Sequence, residues 1–272
     1  CSIQLLSEMQ LQGNPPDIYT NNLFVERVIE PEAFDHRVLG KAMTVVMKLN
    51  LVKKARIMRA IGKEYDVDNI VCSYKCWSSK RLSRWSIVPE RKKSDYLVRY
   101  LVIAATTGAL SKVYWGPLIC NRDGLIDDGS TSYPAIDNVT FYKQVRGDLT
   151  NFKVREAFYA YANIIKLLSG AKCVQAINAD NGIHHFIFTT KSHKQLHIIW
   201  TRDRGCIEAS SLYTEMQLER GHFIDVIGQV IQDKVLSFGE RPIFIEFERP
   251  EQLKLSESEI ENIDPQPRGV IL

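Results

Sequence analysis

No run of about 18 consecutive apolar residues occurs in the 272-residue chain, so nothing in it reads as a membrane span. Charge of one sign is not in large excess either. Lys and Arg number 35 against 32 Asp and Glu, a net charge of +3, far from the balance of a dedicated nucleic-acid binder. No charged segment followed by an apolar run opens the chain, so no signal peptide is visible. It begins at Cys1 rather than Met, which reads as a fragment in preference to a lipid-modified cysteine. The six cysteines, Cys1, Cys72, Cys76, Cys120, Cys173 and Cys206, form no CxxC pair. That scatter fits reduced thiols in a cytoplasm better than a disulfide framework. Cys72 and Cys76 have no second ligand pair. His184, His185, His193 and His197 lie in strand-like sequence without clustered carboxylates. They read as surface or half-buried β-strand residues, and neither a metal nor a cofactor is expected.

Hydrophobic residues make up 45% and charged residues 25%, which predicts a sizeable folded core. Residues 17–25 read as a strand. Met43, Val46, Met47, Leu51, Ala55, Met58 and Ile61 fall at helical spacing and predict one helix over 41–65. Residues 69–74 form a short apolar run and a second strand, followed by a loop over 75–94. A helix is predicted over 95–107, capped by Ser94 or Asp95 and stopped by Gly108. KVYW at 112–115 is a third strand. A turn-rich loop spans 116–138, and a further helix is expected at about 154–169, ending at Gly170. Alternating short strands and helices are the signature of parallel βα units.

After Gly170 the rhythm changes. Short strands are predicted at 172–177, 183–190, 195–201, 235–238 and 242–247, separated by turn signals. The reading is therefore a βα region over 1–170, an antiparallel β domain over 171–247 and a polar, loosely packed tail over 248–272.

The order of several segments carries a resemblance. They are Cys72-Ser73-Tyr74-Lys75-Cys76-Trp77, Ser94 to Leu101, Val113-Tyr114-Trp115, Gly124-Leu125-Ile126-Asp127, Glu156 to Tyr161, Leu168 to Lys172 and Phe238 to Phe247. Together they resemble the C-terminal part of bacterial clan-A-type glycoside hydrolases, of the kind associated with surface polysaccharide or lipopolysaccharide gene clusters. The resemblance covers about residues 17–247. It implies an α/β fold, the C-terminal portion of a (β/α)8 TIM barrel with an appended antiparallel β domain. It also implies a carbohydrate substrate or ligand.

Two departures bear on chemistry. Counting back three from Trp77 puts Tyr74 at the family's nucleophile position, where a retaining glycosidase needs a carboxylate. Lys75, its neighbour in a strand, should face the other way and leave the phenol without a base. A whole barrel also takes about 250 residues, and only about three of its strands can be counted here. The expectation is a glycoside-hydrolase-like protein acting on or binding surface polysaccharide, inactive by itself. The alternative is a non-catalytic glycan-binding protein or truncated gene product.

Trp77, Tyr114 and Trp115 stand at or near the C-terminal ends of strands, the active-site face of a barrel. Their rings could stack on sugars, although an aromatic in a strand is ordinarily core. The segment 75–93 carries Lys75, Lys80, Arg81, Arg84, Arg91, Lys92 and Lys93 against one acid, Glu90. Arg81 and Arg84 could grip an anionic sugar, while a solvated basic loop is the ordinary reading. Asp127, with Asp123 and Asp128, could bind sugar hydroxyls, and turn chemistry explains these residues equally well. Glu26 and Arg27 could face the cleft or form a loop ion pair with Glu30 or Arg37. Nucleic acid is not an expected partner. The strand at 17–25 would present an open edge, so self-association or an N-terminal partner fragment is expected.

Overall fold

The computed structural model describes residues 2–21, 30–33, 49–129, 152–178, 182–202 and 204–251. Helix α1 (Ser2–Leu11) precedes strand β1 (Ile18–Asn21). Then come α2 (Leu51–Glu64), β2 (Asn69–Lys75), the one-turn α3 (Ser79–Leu82), α4 (Pro89–Thr106) and β3 (Lys112–Trp115). Of the 41–65 pattern, the described helix starts at Leu51, with Asn50 as its N-cap. Its side chain accepts from the Lys53 amide at 3.0 Å. Residues 41–48, with Met43, Val46 and Met47, lie outside the described residues.

Helix α4 begins six residues before the expected Asp95. Pro89 opens it, since a missing N–H costs nothing in the first turn. Ser94 is no cap: its hydroxyl donates back to the Glu90 carbonyl at 3.1 Å within the helix. Gly108 and Gly170 follow the helices Pro89–Thr106 and Glu156–Leu168 at φ 63° and 71°, left-handed values that an L side chain resists.

The first three strands pair in parallel in the order β1-β2-β3. Strand β3 reads exposed, buried, exposed, buried, so Val113 and Trp115 face the helices while Tyr114 faces away. Ile18 and Tyr114, 52% and 50% exposed, lie on the other face, where Val71 is buried. Among the described residues the parallel sheet is open and does not close into a barrel. The loop after β3 returns through a small antiparallel ribbon, β4 (Ile126–Asp127) with β5 (Lys153–Val154), into α5 (Glu156–Leu168).

From residue 172 onward the pairing is antiparallel. A five-stranded sheet has the order β10-β12-β8-β7-β6, built from β6 (Lys172–Asn178), β7 (Ile183–Thr189), β8 (Gln195–Thr201), β10 (His222–Ile224) and β12 (Ile243–Phe247). A second ribbon pairs β9 (Cys206–Glu208) with β11 (Ser237–Gly239), and α6 (Glu215–Arg220) lies between them in sequence. β9, β10 and α6 are too short to show periodicity. The polar tail lies outside the described residues from 252 onward.

Alternation gives the five-stranded sheet two apolar faces. Phe186, Phe188, Ile198, Trp200 and Phe244 join one cluster with the residues of α2, α4 and α5. Ile183, Ile199, Ile245 and Phe247 face a second cluster with Leu212, Tyr213 and Phe238. The first cluster is continuous from the parallel sheet to the antiparallel one. Each fully buried large apolar side chain in it contributes about 1.5–3 kcal/mol.

Charged side chains reinforce this junction. Arg99, on α4 and fully buried, donates through Nε and Nη2 to the Glu32 carboxylate at 2.7 and 2.9 Å. Glu32 also accepts the indole N–H of Trp200 on β8. Asp95 pairs with Arg241 at 2.9 Å, and Arg241 pairs with Glu156 of α5 at the same distance.

Candidate ligand site at the edge of the parallel sheet

In parallel sheets, ligands bind beyond the carboxyl ends of the strands. Here that edge consists of Cys76 to Ser79 after β2 and of Trp115 with the loop after β3. Trp77 has no exposed surface. It packs edge-on against Tyr96 and Tyr100 of α4, at 5.7 and 5.8 Å between centroids, and stacks on Trp115 at 6.1 Å and 26°. This corrects the sugar-platform expectation for Trp77, since a ring enclosed by three aromatic neighbours has no face to offer. Trp115 is also buried, at 7% exposed, but its indole N–H has no hydrogen-bond partner. The hydroxyls of Ser78 and Ser79 are likewise buried and unpartnered. Glu90 Oε2 and Arg155 Nε are also unpartnered, and since buried polar atoms are nearly always satisfied, this group requires an explanation.

Beside them lies a charged network. Arg155 donates to Glu90, to the Asn121 carbonyl at 2.6 Å and to Asp127 Oδ2 at 2.8 Å. Arg122 holds Asp123 at 2.7 and 2.9 Å. Lys93, expected on a solvated loop, is instead buried in α4 and donates to the carbonyls of Asp123, at 3.1 Å, and Gly124. Burial, with the like charge of Arg155, pushes its ammonium down to about 8. Gly124 is required where this loop folds over, since a Cβ there would lie 2.3 Å from the Cys120 amide nitrogen.

The remaining candidates are not gathered here in the expected way. Asp127 is committed to Arg155, and its Oδ1 accepts the Gly129 amide at 3.0 Å, so the turn reading describes it. Tyr114 is half-exposed on the opposite face of β3 from Trp115. Arg84 is exposed and Arg81 partly so, on a turn whose Ser79 and Leu82 point inward. Tyr74 is the penultimate residue of β2, and its side chain lies outside the described ones, as do those of Ser73 and Lys75. The pairing register shifts between Cys72 and Lys75, which removes the basis for placing Lys75 opposite Tyr74. Glu26, Arg27 and Arg37 also lie outside the described residues.

Sequence reasoning missed a second polar cluster. His185 and His197 are fully buried, neither surface nor half-buried. They face the second apolar cluster with the Tyr213 hydroxyl, which lies 2.7 Å from His197 Nδ1 and 3.1 Å from His185 Nε2. Burial holds both rings neutral, His197 down to about 3 and His185 well below its usual value. The signal was available: positions 185 and 197 are partners two positions off a direct pair across β7 and β8, on one face. His184 is half-buried and stacks on Trp200 at 5.6 Å. Among the described residues, no group of three His, Cys, Asp or Glu side chains gathers to hold a metal ion.

A cavity of about 550 Å³ lies elsewhere, beside α6, lined by Ala209, Leu218, Val235 and Leu236 with the Glu215–Lys234 ion pair, 2.9 Å long, at its wall. No helix among the described residues is long and apolar enough to cross a membrane. Compared with known proteins, the chain matches no family model and no curated protein.

Proposed function

We propose that this chain is a glycoside-hydrolase-like glycan-binding protein, with its ligand at the carboxyl edge of β2 and β3 and no hydrolytic activity by itself. The observation that carries the reading is the set of buried, unpartnered polar atoms there: the indole N–H of Trp115 and the hydroxyls of Ser78 and Ser79. A polyhydroxylated ligand both donates and accepts, so it satisfies such groups where an apolar ligand leaves them orphaned. In the same reading, the open three-stranded parallel sheet belongs to the C-terminal units of a (β/α)8 architecture. Surface polysaccharide is the ligand class implied by the segment resemblance.

The absence of hydrolysis is supported by the state of the carboxylates at this edge. A retaining glycosidase uses two carboxyl groups about 5 Å apart, one of them a free nucleophile. Here Glu90 and Asp127 are paired with Arg155, and Asp123 with Arg122. A phenol at position 74 is a poor nucleophile near neutral pH unless a base removes its proton.

The test pairs binding with turnover. Oligosaccharide binding is followed by calorimetry for the wild-type chain and for Trp115→Phe, which keeps an aromatic ring and removes the N–H. The expected result is binding that weakens by about tenfold, the worth of one hydrogen bond to a buried donor. Equal affinity in both proteins overturns the site assignment. Hydrolysis of aryl glycosides by the wild-type chain, abolished in Tyr74→Phe, overturns the non-catalytic reading.

A further inference from the structure

The segment that links β2 to α4 has a feature that glycan binding does not use. After the single turn of α3 the chain stays tightly wound. The Trp85 and Ser86 amides both donate to the Leu82 carbonyl at 2.9 Å, and the Val88 amide donates to the Ser86 hydroxyl at 3.2 Å. Leu82, 1% exposed, fastens this turn to the core. Its outer side is apolar at the tip: Trp85 is 74% exposed, Ile87 fully exposed and Val88 half-exposed. Lys80, Arg81 and Arg84 precede the tip in sequence. The one acid of the segment, Glu90, is paired with Arg155.

We propose that the turn from Lys80 to Val88 is an interfacial anchor that docks the protein on an anionic lipid bilayer. Trp is favoured at the bilayer interface, aliphatic side chains gain by entering hydrocarbon, and Lys and Arg are drawn to anionic headgroups. The combination decides between occupants. A sugar stacks on Trp85 but gives a fully exposed isoleucine nothing. A second copy of this chain would bring three more cations against the first three. A bilayer with anionic headgroups uses the apolar tip and the cations together. The turn is held by its own hydrogen bonds, so little ordering is required on docking.

The full chain is tested with vesicles of phosphatidylcholine alone and with vesicles that also contain phosphatidylglycerol. Binding is expected only to the second, and it should weaken as salt is raised. Brominated acyl chains should quench part of the tryptophan emission, and that part should vanish in Trp85→Phe, because Trp77, Trp115 and Trp200 are buried. Arg81→Ser and Arg84→Ser should each weaken binding about fivefold, and Ile87→Ser should weaken it by a similar factor. Arg84, Trp85 and Ile87 are exposed and Arg81 partly so, so the variants should melt with the wild type. Equal binding to both vesicle types, no quenching, or an Ile87→Ser variant that binds as the wild type overturns the proposal. So does salt-sensitive binding to the anionic vesicles that leaves Trp85 unquenched and is lost to a soluble polyanion, which would make the turn a polyanion site.

Discussion

Replacing Arg99 by Met tests the junction between the two sheets. Arg99 has no exposed surface, the Glu32 side chain is 11% exposed, and their charge-assisted hydrogen bonds are 2.7 and 2.9 Å long. The guanidinium also bonds the Glu240 carbonyl at 3.3 Å and lies 5.2 Å from the Tyr96 ring centroid. Removing it leaves a buried carboxylate without its countercharge, which costs about 3–5 kcal/mol. Two charge-assisted bonds at about 1.5–3 kcal/mol each give about 3–6 kcal/mol, which overlaps that range. Urea unfolding should show this loss as a shift in midpoint at unchanged slope. Arg99→Met/Glu32→Gln removes both charges and keeps an acceptor for Trp200, so it should recover most of the loss.

The single variant Arg99→Met should reverse the pH dependence contributed by Glu32. Burial raises the pKa of this carboxyl, but the charge and hydrogen bonds of Arg99 outweigh burial and leave it below 4.5. A depressed folded pKa contributes stability above the unfolded value, and that stability is lost as pH falls through the folded pKa. Without Arg99, burial dominates and the folded pKa rises above the unfolded one. Glu32 then favours folding below pH 4.5, and its contribution declines as pH rises. The difference between the wild-type and Arg99→Met stability curves isolates this term. A loss under about 1 kcal/mol, or a difference curve flat through this range, refutes the assignment of Arg99 and Glu32 as a buried pair.

Three further outcomes are expected. Stability should fall as pH drops from 6.5 towards 3, because His185 and His197 are held neutral while the unfolded chain takes up their protons; His197→Phe should flatten that slope in acid denaturation. A thiol reagent should label Cys206, which is exposed, well before Cys173, whose thiol burial pushes up to about 12, and Cys72, Cys76 and Cys120 should react only on unfolding. Ser78→Ala should leave thermal stability unchanged or raise it, because the buried hydroxyl has no partner to lose, while oligosaccharide binding falls.

Much of the fold is legible in the residues. Short apolar runs such as KVYW and the helical spacing of Leu51, Ala55 and Met58 mark the parallel units, and the shift to closely spaced strands after Gly170 marks the antiparallel sheet. These are local patterns with a physical period, so they survive without tertiary information. Glycines at 108 and 170 end helices for an equally local reason. What the residues could not show is which side of an element is covered. Trp77 and Trp115 read alike as strand-end aromatics, yet packing against α4 encloses Trp77 and leaves Trp115 with an unpartnered N–H. Lys93 reads as part of a solvated basic run, yet the helix start at Pro89 rotates it into the core, where two loop carbonyls hold it. Asp127 reads as a ligand for hydroxyls until Arg155, distant in sequence, is brought beside it. Burial and charge partners depend on contacts between segments far apart in the chain, and only the tertiary structure decides them.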